Sequence, residues 1–182
     1  MALLSPPAVR TASALLLTCG ALLLSGCQFS ASTGGGLDYG KLETAITDEL
    51  NSSYESLSEK VSSVECPEQS PPPGKGDTFV CTASVGDQKV RVESTVTDDD
   101  YNVNFKTIDT LYELTDTGAT LSAALTEQLG FPVTVTCGEG LEAVEVGQTL
   151  DCVAADEDGD ERTVRVTATP VGEDDKWELL DE

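Results

Sequence analysis

The chain has 182 residues, with 10 basic side chains against 33 acidic ones, a formal charge of −23 and no histidine. The acidity excludes nucleic acid as a natural partner, because a phosphate backbone needs a basic face. The missing histidine excludes Ser-His-Asp and Cys-His catalysis and His-ligated metal centres.

Residues 1–26 carry one basic residue, Arg10, and then an Ala- and Leu-rich run from Ala12 to Leu24. The run is short for a membrane span and reads as a signal peptide. It ends in Leu24-Ser25-Gly26-Cys27. That ending resembles the bacterial lipobox, in which a Leu and two small residues precede a cysteine that takes a diacylglyceryl group before cleavage. The resemblance implies acylation of Cys27 and a mature protein held by lipid on the outer face of the cytoplasmic membrane. An ordinary secretory peptide with a chance cysteine is the alternative. Cys19 follows Thr18 and fits less well, and cleavage before Cys27 discards it. Loss of Arg10 leaves 9 basic residues against 33 acidic ones, a side-chain charge of −24. Anionic headgroups repel such a body, and stable anchoring then needs more than one acyl chain.

Residues 27–37, including the polar stretch QFSASTGGG, read as a flexible tether. Residues 38–112 and 113–182 read as two copies of one module. The first opens with a helix near Asp38–Lys41, with Leu42, Ala45, Ile46 and Leu50 on one face. Glu49 interrupts that face, and Leu57 could extend it. The second copy repeats the helix with Leu121, Ala124, Leu125 and Leu129. Thr117 or Thr120 is the expected N-cap, and Gly130 with Pro132 the stop. Leu50 to Cys66 is 16 positions and Leu129 to Cys137 is 8, so the first copy carries an insertion around 51–60.

Strands follow each helix. Val133, Val135 and Cys137 alternate with threonines, and 62–66 is the poorer counterpart. A loop leads on, holding Ser70-Pro71-Pro72-Pro73-Gly74 in the first copy. Then come "GDTFVC" (76–81) and "GQTLDC" (147–152), both Gly-x-Thr-apolar-x-Cys. Each ends 15 positions after an earlier cysteine, Cys66 or Cys137. In an exported chain four cysteines read as a disulfide framework, and the repeat selects Cys66–Cys81 and Cys137–Cys152 among three connectivities. A zinc site is the competing reading, but the short Cys-x-x-Cys pairs it uses are missing.

A two-residue turn at Gly86-Asp87 pairs Val85 with Gln88, Ala83 with Val90, Cys81 with Val92 and Phe79 with Ser94, keeping the apolar face in register. In the second copy, pairing Cys152 with Val166 requires a three-residue loop at Asp158-Gly159-Asp160. Each copy closes with an aromatic-containing strand, 101–105 and 176–180. The fold class is therefore α+β, two tandem modules with a helix on a small antiparallel sheet.

Helix, Cys, loop, Gly-x-Thr-apolar-x-Cys and a Val-rich hairpin together resemble a small disulfide domain of unknown function found in actinobacterial exported proteins and lipoproteins. The second copy fits closely through "VTCGEGLEAVEVGQTLDC". The first departs in its longer helix-to-Cys segment and triple-Pro loop. The resemblance implies a fold and a compartment, and no catalytic residue.

No nucleotide-binding loop, nucleophile setting or cofactor motif accompanies these elements, and a non-enzyme is expected, with no cofactor and no resident metal. The acidic runs 98–100 and 156–161 read as solvated turns. The second fails the calcium-loop pattern, having Glu161 where Gly is needed and Thr167 where Glu is needed. Phe131 and Trp177 read as residues that close a small core, and Arg91 and Arg165 as outward positions relieving repulsion among acids. The functional expectation is a surface lipoprotein that binds an unidentified envelope or extracellular protein, its oligomeric state open. An acidic spacer adapted to salt, or a weak surface divalent-cation binder, is the alternative.

Overall fold

The computed structural model describes residues 27–33 and 36–180. In chain order the elements are β1 (Cys27–Ser30), β2 (Ser32–Thr33), β3 (Gly36–Leu37), α1 (Tyr39–Ser53), β4 (Val61–Glu65), β5 (Thr78–Val85), β6 (Gln88–Val96), β7 (Asn102–Thr107) and β8 (Asp109–Glu113). Then follow α2 (Leu114–Leu129), β9 (Val133–Thr136), β10 (Leu141–Glu145), β11 (Thr149–Asp156), β12 (Glu161–Thr167) and β13 (Lys176–Leu179). The fold is α+β. The first half carries the sheet β1-β7-β6-β5-β4 and the second β13-β12-β11-β9, all pairings antiparallel. Each half has its own core and its own disulfide, Cys66–Cys81 and Cys137–Cys152.

Helix α1 forms where its apolar spacing expects it. The Asp38 carboxylate caps it by accepting from the Lys41 amide at 3.1 Å. Leu42, Ile46 and Leu50 are buried in one core with Val90, Val92, Val103 and Phe105, while Glu49 stays in water. The helix ends at Ser53, and residues 54–60 form the inserted segment, with Leu57 half-buried on the core.

Helix α2 starts earlier than expected. Its N-cap is Glu113, whose carboxylate accepts from the Asp116 amide at 2.7 Å, not Thr117 or Thr120. Thr117 sits inside the first turn and donates to the Glu113 carbonyl. Gly118 is a poor helix former by propensity, and here it is a packing residue. A Cβ at 118 would lie 2.8 Å from the Val135 carbonyl oxygen, so only glycine lets α2 lie this close to β9. The buried stripe is Leu114, Gly118, Leu121 and Leu125; Leu129 falls beyond it and is exposed. Gly130 ends the helix with φ +76, as expected.

The repeated hexapeptide has one structural job, done twice. Gly76 and Gly147 adopt φ +89 and +87, a left-handed conformation that a side chain would strain. Their amides donate to the Val96 and Ala168 carbonyls at 2.7 and 2.8 Å. In return the Val96 and Ala168 amides donate to the carbonyls of Asp77 and Gln148. Each motif thus ties the start of its strand to the end of the return strand, and sets the cysteine at a fixed depth in the sheet.

The first hairpin has the expected register, Val85 opposite Gln88 through Phe79 opposite Ser94. The second differs. Cys152 faces Val164 and Leu150 faces Val166, and the loop is Glu157-Asp158-Gly159. The shift is two residues, so the same side chains stay on the core face. Gly159 takes φ +85, which fits a three-residue turn whose last position is left-handed and leaves Asp160 in the ladder direction.

Residues 27–33 and 36–37 of the expected tether are instead structured, and 34–35 lie outside the described residues. Cys27–Ser30 pair with β7, and Ala31 is fully buried, its amide donating to the Tyr101 carbonyl at 3.2 Å. Composition misleads here because an edge strand is held chiefly by backbone groups, which any sequence supplies. The boundary placed between residues 112 and 113 falls inside β8. That strand pairs with β10, a segment read from sequence as loop. The β8-β10 ribbon bridges the halves: Leu111, Leu141 and Ala143 pack on the first core, and Tyr112 and Val144 on the second.

Candidate functional site

The lipobox residues Leu24, Ser25 and Gly26 lie outside the described residues. Cys27 opens β1, and its register partner is Phe105 of β7. Among the described residues no helix is long and apolar enough to cross a membrane. The four remaining cysteines form the two intramodular disulfides that the repeat selects.

The two outward arginines are ion-pair centres, one of them structural at the junction. Arg91 Nε donates to Asp109 Oδ2 at 2.9 Å, its amide donates to the same oxygen at 2.8 Å, and Nη2 reaches Glu145 Oε2 at 2.8 Å. It therefore joins β6 of the first half to β8 and β10. Asp109 is 4% exposed. Burial pushes its carboxyl up, but the Arg91 side-chain and amide hydrogen bonds outweigh this and hold it below the ordinary carboxylate value. Arg165 makes a two-pronged pair with Asp151, at 2.8 and 2.7 Å, on the open surface.

The acidic runs fold back on their own backbone. Asp98 accepts from the amides of Asp100 and Asn102 and from the Asn102 side chain. The Asn102 side-chain bond is the main cause that holds this carboxyl below its ordinary value. Asp156 accepts from the Asp158 and Asp160 amides at 2.9 and 3.0 Å. These are self-closed Asx turns. Among the described residues no group of three or more His, Cys, Asp or Glu comes together as a metal site.

Trp177 is half-buried on the second core, in line with expectation, whereas Phe131 is 46% exposed and closes nothing. Phe131 follows the helix stop at Gly130, and the chain turns to β9 before its ring can reach the core.

The helices guard one edge of each sheet through side-chain hydrogen bonds. On β4, the Val61 amide donates to Asn51 Oδ1 at 3.0 Å and the Cys66 amide to Glu43 Oε1 at 2.9 Å. On β9, the Val135 amide donates to Ser122 Oγ at 2.7 Å and the Val133 amide to Thr126 Oγ1 at 3.0 Å. The opposite edges differ. β7 carries β1, while β13, in the equivalent place, has no further strand among the described residues.

A groove runs between the halves. Its wide end, about 680 Å³, is walled by Leu50, Val92, Phe105, Ile108, Val146 and Val171. A neck of about 150 Å³ shares Ser53, Pro170 and Val171 with it. A further cleft of about 460 Å³ shares Leu57, Leu111 and Asp175 with the neck and reaches Trp177. Two buried tyrosines, Tyr54 and Tyr112, belong to these walls; the Tyr54 hydroxyl has no hydrogen-bond partner among the described residues, and the Tyr112 hydroxyl faces the Asp175 carboxylate. Burial, with the Asp109 carboxylate second, pushes the Tyr54 phenol up to about 12. Sequence reading missed the groove because the walls of its wide end come from five separated segments, around 50, 92, 105–108, 146 and 170–173, none of which carries a motif.

No curated protein and no solved structure matches the chain. Residues 22–100 match the family described as a domain of unknown function (DUF4333). The longer helix-to-Cys segment and the triple-Pro loop lie within that match. The disulfide-bonded first half is thus similar to a domain of unknown function, and the disulfides are consistent with an exported protein.

Proposed function

We propose that the chain is a lipid-anchored protein of the outer face of the cytoplasmic membrane that acts by binding an envelope or extracellular protein, not by catalysis. The lipobox residues Leu24 to Cys27 and the two disulfides support the compartment. The observation that carries the binding reading is the outer edge of β13. The duplicated sheet of the first half has β1 at this position, and the second half leaves it without a strand among the described residues. Main-chain donors and acceptors there can take up a partner's extended segment, the mode of strand addition. Glu173, Asp174, Asp175 and Glu178 flank the edge and favour a neutral or basic partner strand.

The test is photo-crosslinking in cells from a reactive residue at the exposed position 176, with a Cys27→Ser form as control. One dominant protein captured from the anchored form and lost in the control is expected. Capture of nothing above background refutes the binding reading and favours the acidic spacer.

A further inference from the structure

We propose that the groove between the halves houses an acyl chain carried on Cys27, so that one chain of the anchor is bound by the protein's own body; this rests on the lipid-anchor reading. Cys27 stands opposite Phe105, and Phe105 walls the wide end of the groove. Lys106 and Thr107, which line the same end, have no β1 partner among the described residues. The attachment point of the lipid and the mouth of the groove therefore share one end of one strand.

The chemistry of the walls agrees. Ile108, Val146 and Val171 are half-buried and present hydrocarbon over the buried Leu50, Val92 and Phe105, and a hydrocarbon chain removes that surface from water. The rim carries Glu49, Glu93 and Glu173, with Lys106 engaged by Glu93 at 3.1 Å. Such a rim repels fatty-acid carboxylates and phosphate headgroups and admits a neutral chain. Covalent attachment next to the mouth also raises the chain's effective concentration there over any free lipid.

Full-length protein would be produced in cells fed a diazirine-bearing fatty acid, irradiated and digested, and its peptides read by mass spectrometry. The mass of the Cys27 peptide reports acylation, and the adduct positions report where the chain lies. Acylated Cys27 with adducts concentrated on Ile108, Val146 and Val171 is expected. Val171→Asp should cut those adducts on the order of tenfold, because a charge in an apolar wall is costly, and leave acylation intact. Acylated Cys27 with adducts only on bilayer lipid overturns the groove inference and leaves the anchor standing. Unacylated Cys27 overturns both. The same adducts in Cys27→Ser would assign the groove to free lipid and overturn the chain's own acyl group as occupant.

Discussion

Replacing Arg91 by alanine tests how the halves are joined. Asp109 is buried, with a side chain 6% exposed, and its ion-pair partner is Arg91, which also holds Glu145. Removing one member of a fully buried pair costs about 3–5 kcal/mol, because the other charge is left unpaired. The Arg91 side chain is 43% exposed, so water can partly replace it, and we expect about 2–3 kcal/mol. For a chain of this size that lowers Tm by roughly 5–10 °C. The assay is thermal melting at pH 7, followed by circular dichroism for the whole chain and by Trp177 fluorescence for the second half. Wild type should melt as one unit by both probes, and Arg91→Ala should melt lower, with the two probes separating. The pH dependence has a definite sign. The folded Asp109 carboxyl titrates below its ordinary value, so the pair's contribution is complete above about pH 4 and is lost as pH falls through the lower folded value. In Arg91→Ala the burial of Asp109 acts without the guanidinium that outweighs it, so the deficit should be largest near pH 7 and shrink as falling pH protonates the unpaired carboxyl, before the wild-type pair itself is lost. Glu145→Gln, at an exposed site, should cost under about 1 kcal/mol. An unchanged Tm for Arg91→Ala would refute the reasoning.

Gly118→Ala should destabilise, although alanine is the better helix former by about 1 kcal/mol. The added Cβ would sit 2.8 Å from a backbone oxygen that has no side-chain freedom, and overpacking of this kind costs about 1–3 kcal/mol; urea denaturation reads the sign, and a more stable variant would sink the account. Cys137→Ser opens a 15-residue loop worth about 3 kcal/mol, in a half of about 70 residues with little margin. That half should become protease-sensitive, and a melt within a few degrees of wild type would contradict the staple argument. Monovalent salt should raise Tm, since it screens the repulsion within an acidic body. Calcium at matched ionic strength should add nothing, because Asp98 and Asp156 are already occupied by their own turns; a further rise at millimolar calcium would revive the cation-binding reading.

What could be read in the sequence was whatever periodicity and spacing encode locally. The α1 stripe, the first hairpin register and both disulfides follow from alternation, turn chemistry and the repeated hexapeptide. What local pattern does not carry has a different cause. Gly118 is a helix breaker by propensity, and only the nearness of the Val135 carbonyl, 17 positions on, makes glycine the residue that fits. Residues 27–30 pair through backbone, and β10 is a strand because β8 is there to pair with it. The guarding of the sheet edges is the plainest case. Both halves use their helix to satisfy the outward amides of the first sheet strand, with Glu43 and Asn51 in one and Ser122 and Thr126 in the other. Nothing in those residue types repeats, so a search for sequence similarity passes over them. The helix polar face answers only to where a backbone N–H happens to stand, and the two halves differ by an inserted segment that moves it. The two halves share the need for an acceptor at each edge and differ in the acceptor they use. The β13 edge is the one place in the second sheet where that need goes unmet among the described residues, which is why it is the surface on which a partner strand is expected.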